Sequence, residues 1–130
     1  DAAFEELVGK AERLVQELGL HYRLSKLAAG DCSFSMARTY DIEVWIPSMG
    51  IYKEVSSASN ARDYQARRGN VKYRGADKKL HLAHTLNASG LATSRVIPAI
   101  VEQYQNDDGS VTVPEVLRPY LGIDRIEKER

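Results

Sequence analysis

The sequence predicts an α+β fold, a layer of antiparallel strands with helices packed on it, within a single domain of 130 residues. Three observations predict it. A strongly helical period opens the chain, period-2 alternation dominates its middle, and short turns join the alternating runs, which makes neighbouring strands antiparallel rather than βαβ-connected.

Residues 3–18 carry Phe4, Leu7, Val8, Ala11, Leu14, Val15 and Leu18 at helical spacing, with charged residues on the other face and Gly19 where a C-terminal cap belongs. Residues 21–29 read as a strand, followed by a Gly30-Asp31 turn and a small-residue loop to Ala37. Residues 38–46 alternate cleanly, with Tyr40, Ile42, Val44 and Ile46 on one face and Thr39, Asp41, Glu43 and Trp45 on the other. Pro47 to Gly50 is a turn, and a second strand from Ile51 to about Ser57 completes a hairpin. Residues 62–68 form a short helix ended by Gly69-Asn70, and a brief strand follows over 71–74. Residues 80–87 alternate again as one strand, with Leu80, Leu82, His84 and Leu86 facing one way. Helical period returns from Gly90 to about Tyr104, where Pro98 implies a kink or a late start. Asn106 to Gly109 is a turn, and Pro114 opens a last short helix.

Composition sets limits on function. Hydrophobic residues make up 43% and charged residues 28%, as in a folded globular domain, and 18 basic residues balance 18 acidic ones, so net charge selects no partner. The first twenty residues are acidic, whereas residues 62–79 gather Arg62, Arg67, Arg68, Lys72, Arg74, Lys78 and Lys79. That basic run reads as a solvated face with local ion pairs, with contact to RNA phosphates as the alternative. Cys32 is the only cysteine, which excludes an internal disulfide and a multi-thiolate zinc site and suits a reducing, cytoplasmic location. No apolar run approaches the roughly 18 residues that cross a bilayer, so no membrane role is expected. The histidines His21, His81 and His84 stand apart from one another and read as structural. The first residue is not methionine, and the chain is expected to be part of a longer protein.

Chemistry concentrates at two places. Thr85, Asn87 and Ser89 lie two apart, so a strand reaching Ser89 would place them on one face; Gly90 then turns the chain toward a helix with Arg95 near its start. Unpaired amides at a helix start and a planar arginine fork suit an anion such as a polyphosphate. The same residues also fit Ser89 as a plain helix cap and Arg95 as the partner of a surface acid. Glu54, Val55, Ser56 and Ser57 form the second place, a carboxylate with hydroxyls of the hard-oxygen kind that magnesium uses beside phosphates. In a flat strand Glu54 and Ser57 face opposite ways, so their joint use requires a bulge or a strand end.

Four segments in order, YDIEVWIP (residues 40–47), YKEVSSASNARDYQARR (52–68), HTLNASGLATSR (84–95) and VPEVLRPYLG (113–122), resemble the end of a class II seryl-tRNA synthetase. The resemblance covers nearly the whole chain, and HTLN-x-S-G-LA-x-x-R is similar to the family's motif 3. It implies that residues 1–130 form the C-terminal part of a class II synthetase catalytic core, an antiparallel sheet flanked by helices that works as a homodimer. It also implies ATP-dependent activation of L-serine and its transfer to tRNA(Ser). Glu54 and Ser57 match residues that contact ATP and its Mg2+ within the block Glu54, Val55, Ser56 and Ser57. Ser89 matches a residue of the serine pocket with Asn87 beside it, and Arg95 matches the arginine on the ATP γ-phosphate. Motif 1, the motif 2 arginine, the loop holding the substrate amino group and the coiled arm that reads tRNA are not found in the chain. The segment alone is therefore expected to be inactive. A non-catalytic nucleotide- or RNA-binding module and an inert structural subdomain are the alternatives.

Overall fold

The computed structural model describes residues 1–128. Helix α1 (Ala2–Glu17) leads into strand β1 (Tyr22–Lys26), then β2 (Arg38–Ile46), a 3-10 turn (Pro47–Met49) and β3 (Ile51–Arg62). Helix α2 (Tyr64–Gly69), β4 (Lys72–Arg74), β5 (Leu80–Leu82), β6 (Thr85–Asn87) and α3 (Thr93–Gln103) follow. The chain ends with β7 (Val111–Thr112), a 3-10 turn (Glu115–Leu117), α4 (Arg118–Leu121) and β8 (Arg125–Ile126). Four strands form the main antiparallel sheet in the order β1-β2-β3-β6, and β4-β5 and β7-β8 make separate hairpins. The expected α+β architecture is the one found.

Both long helices pack on one face of that sheet, for a reason visible in the side chains. Phe4, Val8, Ala11 and Val15 form the apolar stripe of α1, and Val96 and Ala99 that of α3. Ala11, Val15, Val96 and Ala99 meet Ile42, Val44, Ile46 and Val55 in one core, while Phe4 and Val8 meet Ala58 in a smaller one. Ile42, Val44 and Ile46 are alternate residues, so their strand neighbours Asp41, Glu43 and Trp45 point away from the helices. The sheet therefore has an apolar, covered face and a polar face without a helical layer.

The α1 cap is as expected: Gly19 takes φ +66°, and a Cβ there would come within 2.4 Å of the Tyr104 hydroxyl oxygen. That hydroxyl donates to the Leu18 carbonyl at 2.8 Å and fastens α1 to the end of α3. Gln103 also bridges α3 to the sheet, accepting from the His21 amide at 2.7 Å and donating to the Trp45 carbonyl at 2.8 Å.

Three expectations are corrected. Strand β3 runs to Arg62, five residues past Ser57. The single strand expected over 80–87 is two pieces: β5 pairs with β4, and β6 pairs with the end of β3. Between them the Ala83 amide donates to the Val71 carbonyl, so the chain changes partner although the alternation continues unbroken. The third helix starts at Thr93 with Ala92 as its N-cap, so Ser89 is not the cap, and Pro98 is accommodated inside it.

Candidate active-site face

The hairpin register builds the site. Strand β2 pairs with β3 through Trp45 and Tyr52, then Glu43 and Glu54, and then slips, so that Ile42 faces Ser56 and Asp41 faces Ser57. Val55 is the extra residue of this bulge, and it sits in the apolar core with no exposure. Directly opposed residues share a face. Glu54 and Ser57 thus lie together on the polar face, through the bulge that their joint use requires. Val55 and Ser56 turn the other way: Ser56 is 1% exposed on the helix side. Their side chains face the helix layer, so these two residues would meet a ligand on the polar face through their main chain alone.

Arg95 comes to the same place from the start of α3. Its Nη1 donates to the Glu54 carbonyl at 2.9 Å and lies 3.8 Å from the Glu54 carboxylate, with both side chains about half exposed. A cavity of about 510 Å³ opens beside them, lined by Lys53, Glu54, Ser94, Arg95, Pro98 and Glu102 with Ile46 and Met49. The two separate sequence signals, residues 54–57 and 84–95, are therefore one place in space.

Asn87 ends β6 opposite Ser59, placing it on the polar face one strand beyond Ser57. Ser89 lies past the strand end and is exposed. Its carbonyl accepts from the buried Ser56 hydroxyl at 2.7 Å. Ser89 and Gly90 border a shallow recess against Leu7, Lys10 and Leu14 of α1 and do not line the Arg95 cavity. Period 2 thus aligns Asn87, but it does not fix Ser89, because the strand has stopped.

Sequence reasoning passed over the acids beside Glu54. Asp41 and Glu43 flank it on the polar face, and Glu43 is held at 2.5 Å by Arg23, whose guanidinium also stacks 4.3 Å over the Tyr52 ring. Burial pushes the Asp41 carboxyl up, the Ser57 hydroxyl draws it partly back, and the Glu43 carboxylate raises it further. Its Oδ1 is buried and without a partner among the described residues. The signal was present: pairing outward from the Pro47–Gly50 turn sets Glu43 against Glu54. Among the described residues no three metal-binding side chains of the His, Cys, Asp and Glu types converge. The donor set still suits Mg2+, which often takes only one or two protein carboxylates and draws its other ligands from phosphate and water.

Several of the other singled-out residues have local partners. His21 packs against Trp45 and Tyr52, and His81 bonds Asp77 at 2.9 Å. In the basic run Arg67 pairs with Asp63 at 2.6 Å, Arg74 donates to the Lys78 carbonyl, and Arg68 lies 3.8 Å over the Tyr64 ring. Cys32 sits half-buried in the loop before β2. No helix among the described residues is long and apolar enough to cross a membrane.

The chain is similar in sequence and fold to known tRNA synthetases. Residues 1–104 match the model of the tRNA synthetase class II core domain (G, H, P, S and T). The chain is 72% identical over 127 residues to serine–tRNA ligase 2 of Clostridium acetobutylicum, covering 97% of this chain and 30% of that protein. It is 58% identical over 123 residues to the serine–tRNA ligase of Thermosipho africanus, covering 95% of this chain and 29% of that protein. The crystal structure of seryl-tRNA synthetase from Pyrococcus horikoshii complexed with ATP superposes with a TM-score of 0.93 at 43% identity, over 99% of this chain and 29% of that one. The cytoplasmic serine–tRNA ligase from Naegleria fowleri in complex with AMP gives 0.89 at 39% identity, over 99% and 30%. The chain thus spans about 30% of the length of these relatives. The family model spans residues 1–104, so the chain belongs to the class II tRNA synthetase core-domain family, and the relatives it matches are serine–tRNA ligases.

Proposed function

We propose that these residues supply half of a site that activates L-serine with ATP and passes it to tRNA(Ser). The observation that carries the reading is the Val55 bulge, which turns Glu54 and Ser57 to one face beside Arg95. Activation is attack by the serine carboxylate on the α-phosphorus of ATP. A P–O bond forms to give a seryl-adenylate, and the bond to the departing pyrophosphate breaks. Little proton transfer is needed, so alignment and charge stabilisation do most of the work. Arg95 takes the γ-phosphate oxygens with its planar fork. Glu54 and Ser57 are the residues that would hold Mg2+, which supplies charge neutralisation at the phosphates when bound with ATP. Asn87 and Ser89 border the serine pocket, where polar partners for the substrate hydroxyl reject an amino acid lacking it. Transfer to tRNA(Ser), a homodimeric assembly and a cytoplasmic location belong to the same reading of the full-length protein.

The test is ATP–pyrophosphate exchange by the full-length protein, offered serine, threonine, alanine and glycine in turn. Serine-dependent exchange is expected, with the 130-residue segment alone giving none. ATP binding without exchange by the full-length protein would instead favour a non-catalytic nucleotide-binding module.

A further inference from the structure

Strand β3 is laced to the start of α3 and the turn before it by three consecutive residues. The Glu54 carbonyl accepts from Arg95 at 2.9 Å, and the Val55 carbonyl accepts from the Ala92 amide at 2.7 Å. The Ser56 hydroxyl donates to the Ser89 carbonyl at 2.7 Å. The first two links use main-chain acceptors that almost any residue at 54 and 55 provides. The third alone on the strand side needs a particular side chain.

The bulge explains why Ser56 can make it. With Val55 inserted, both Val55 and Ser56 lie on the helix side, and Ser56 is 1% exposed beneath the turn. Its hydroxyl is thus on the opposite face of the sheet from Glu54 and Ser57. We propose that Ser56 is a positioning residue for the amino-acid pocket: it fixes the carbonyl of Ser89, and through it the Asn87–Ser89 turn, without itself contacting ATP. This rests on the serine-activation reading above and deepens it. It also makes the bulge a joint between the two halves of the site, since one inserted residue turns Ser57 to the nucleotide and Ser56 to the turn beneath serine.

Removing the hydroxyl leaves the Ser89 carbonyl without its donor and the turn loose on that side. The links through Glu54 and Val55 remain, so the start of α3 and Arg95 stay in place. Ser56→Ala in the full-length protein is therefore expected to raise KM for serine about tenfold, a change of about 1.4 kcal/mol, while KM for ATP moves less than about twofold. Ser56→Thr keeps the donor and should restore KM for serine; Ser56→Cys, with a weaker donor, is the fallback where the added methyl is not tolerated. Combined with Ser89→Ala, the loss should be less than the sum of the two, because both act on one turn. A larger effect on KM for ATP than on KM for serine overturns the proposal, as do unchanged constants in Ser56→Ala. Full additivity with Ser89→Ala, or folded Thr and Cys variants as impaired as Ala, overturns it equally. Lack of exchange by the wild-type protein removes the functional reading itself, and the inference with it.

Discussion

Arg95 shows how one side chain joins two sequence signals 41 residues apart. A guanidinium carries five N–H groups, and its half-exposed fork retains donors for phosphate beyond the one spent on the Glu54 carbonyl. Lysine keeps the charge and loses the fork. Arg95→Lys is expected to raise KM for ATP in the exchange reaction by about tenfold, within the range of a lost charge-assisted hydrogen bond. Unchanged ATP dependence would reduce Arg95 to the partner of a surface acid. The residue types at Glu54 and Arg95 were legible in the sequence. Their contact was not, because it depends on how far β3 runs before the chain returns. Asp41 and Glu43 were legible as neighbours of Glu54 from the hairpin alone.

Strand β2 could be read from sequence to its end residues, since Ile42, Val44 and Ile46 are buried on one face and the alternation is clean. The stretch from Leu80 to Asn87 could not. Its alternation is equally clean, but Leu80 is 61% exposed, and the pattern serves two different partners in turn. Periodicity reports which residues share a face, not which strand lies alongside. The N-terminal end of helix α1 is held through Phe4, which is wholly buried beside Val8 and Ala58 and stacks at 6.0 Å on Tyr40. Phe4→Ala should cost about 3–5 kcal/mol, read from the shift in the denaturant midpoint. A cost below about 1 kcal/mol would mean that α1 is not fastened there. The β7–β8 hairpin rests on Asp108, which accepts from the Ser110 hydroxyl at 2.6 Å and amide at 3.0 Å and pairs with Arg125. Those hydrogen bonds, with the Arg125 charge adding to them, hold its carboxyl below the usual value of 3.8. A depressed native value means that the unfolded chain binds more protons, so this stability is present above the unfolded value and fades as pH falls through the native one. Asp108→Asn should lower Tm at neutral pH, and the difference should close in strong acid. A Tm difference of the same size at every pH would contradict that origin.

Taken whole, the molecule is a sheet with helices on one face and carboxylates and hydroxyls on the other, with Arg95 reaching Glu54 from the first turn of α3. Asp41 is part of that polar face, with a buried oxygen that has no partner among the described residues and a raised carboxyl. The chain covers about 30% of the length of its relatives, and under the proposed function it holds one half of a shared site. Exchange of pyrophosphate into ATP by the full-length protein, with serine as the amino acid, compares that assignment with its absence when Glu54→Gln and Arg95→Ala are run beside the wild type. Serine-dependent exchange is expected in the wild type, with a loss of about a hundredfold or more in each variant, the size seen when a charge-stabilising donor is removed from a transition state. Exchange that both variants retain, or that another amino acid supports better than serine, would contradict it.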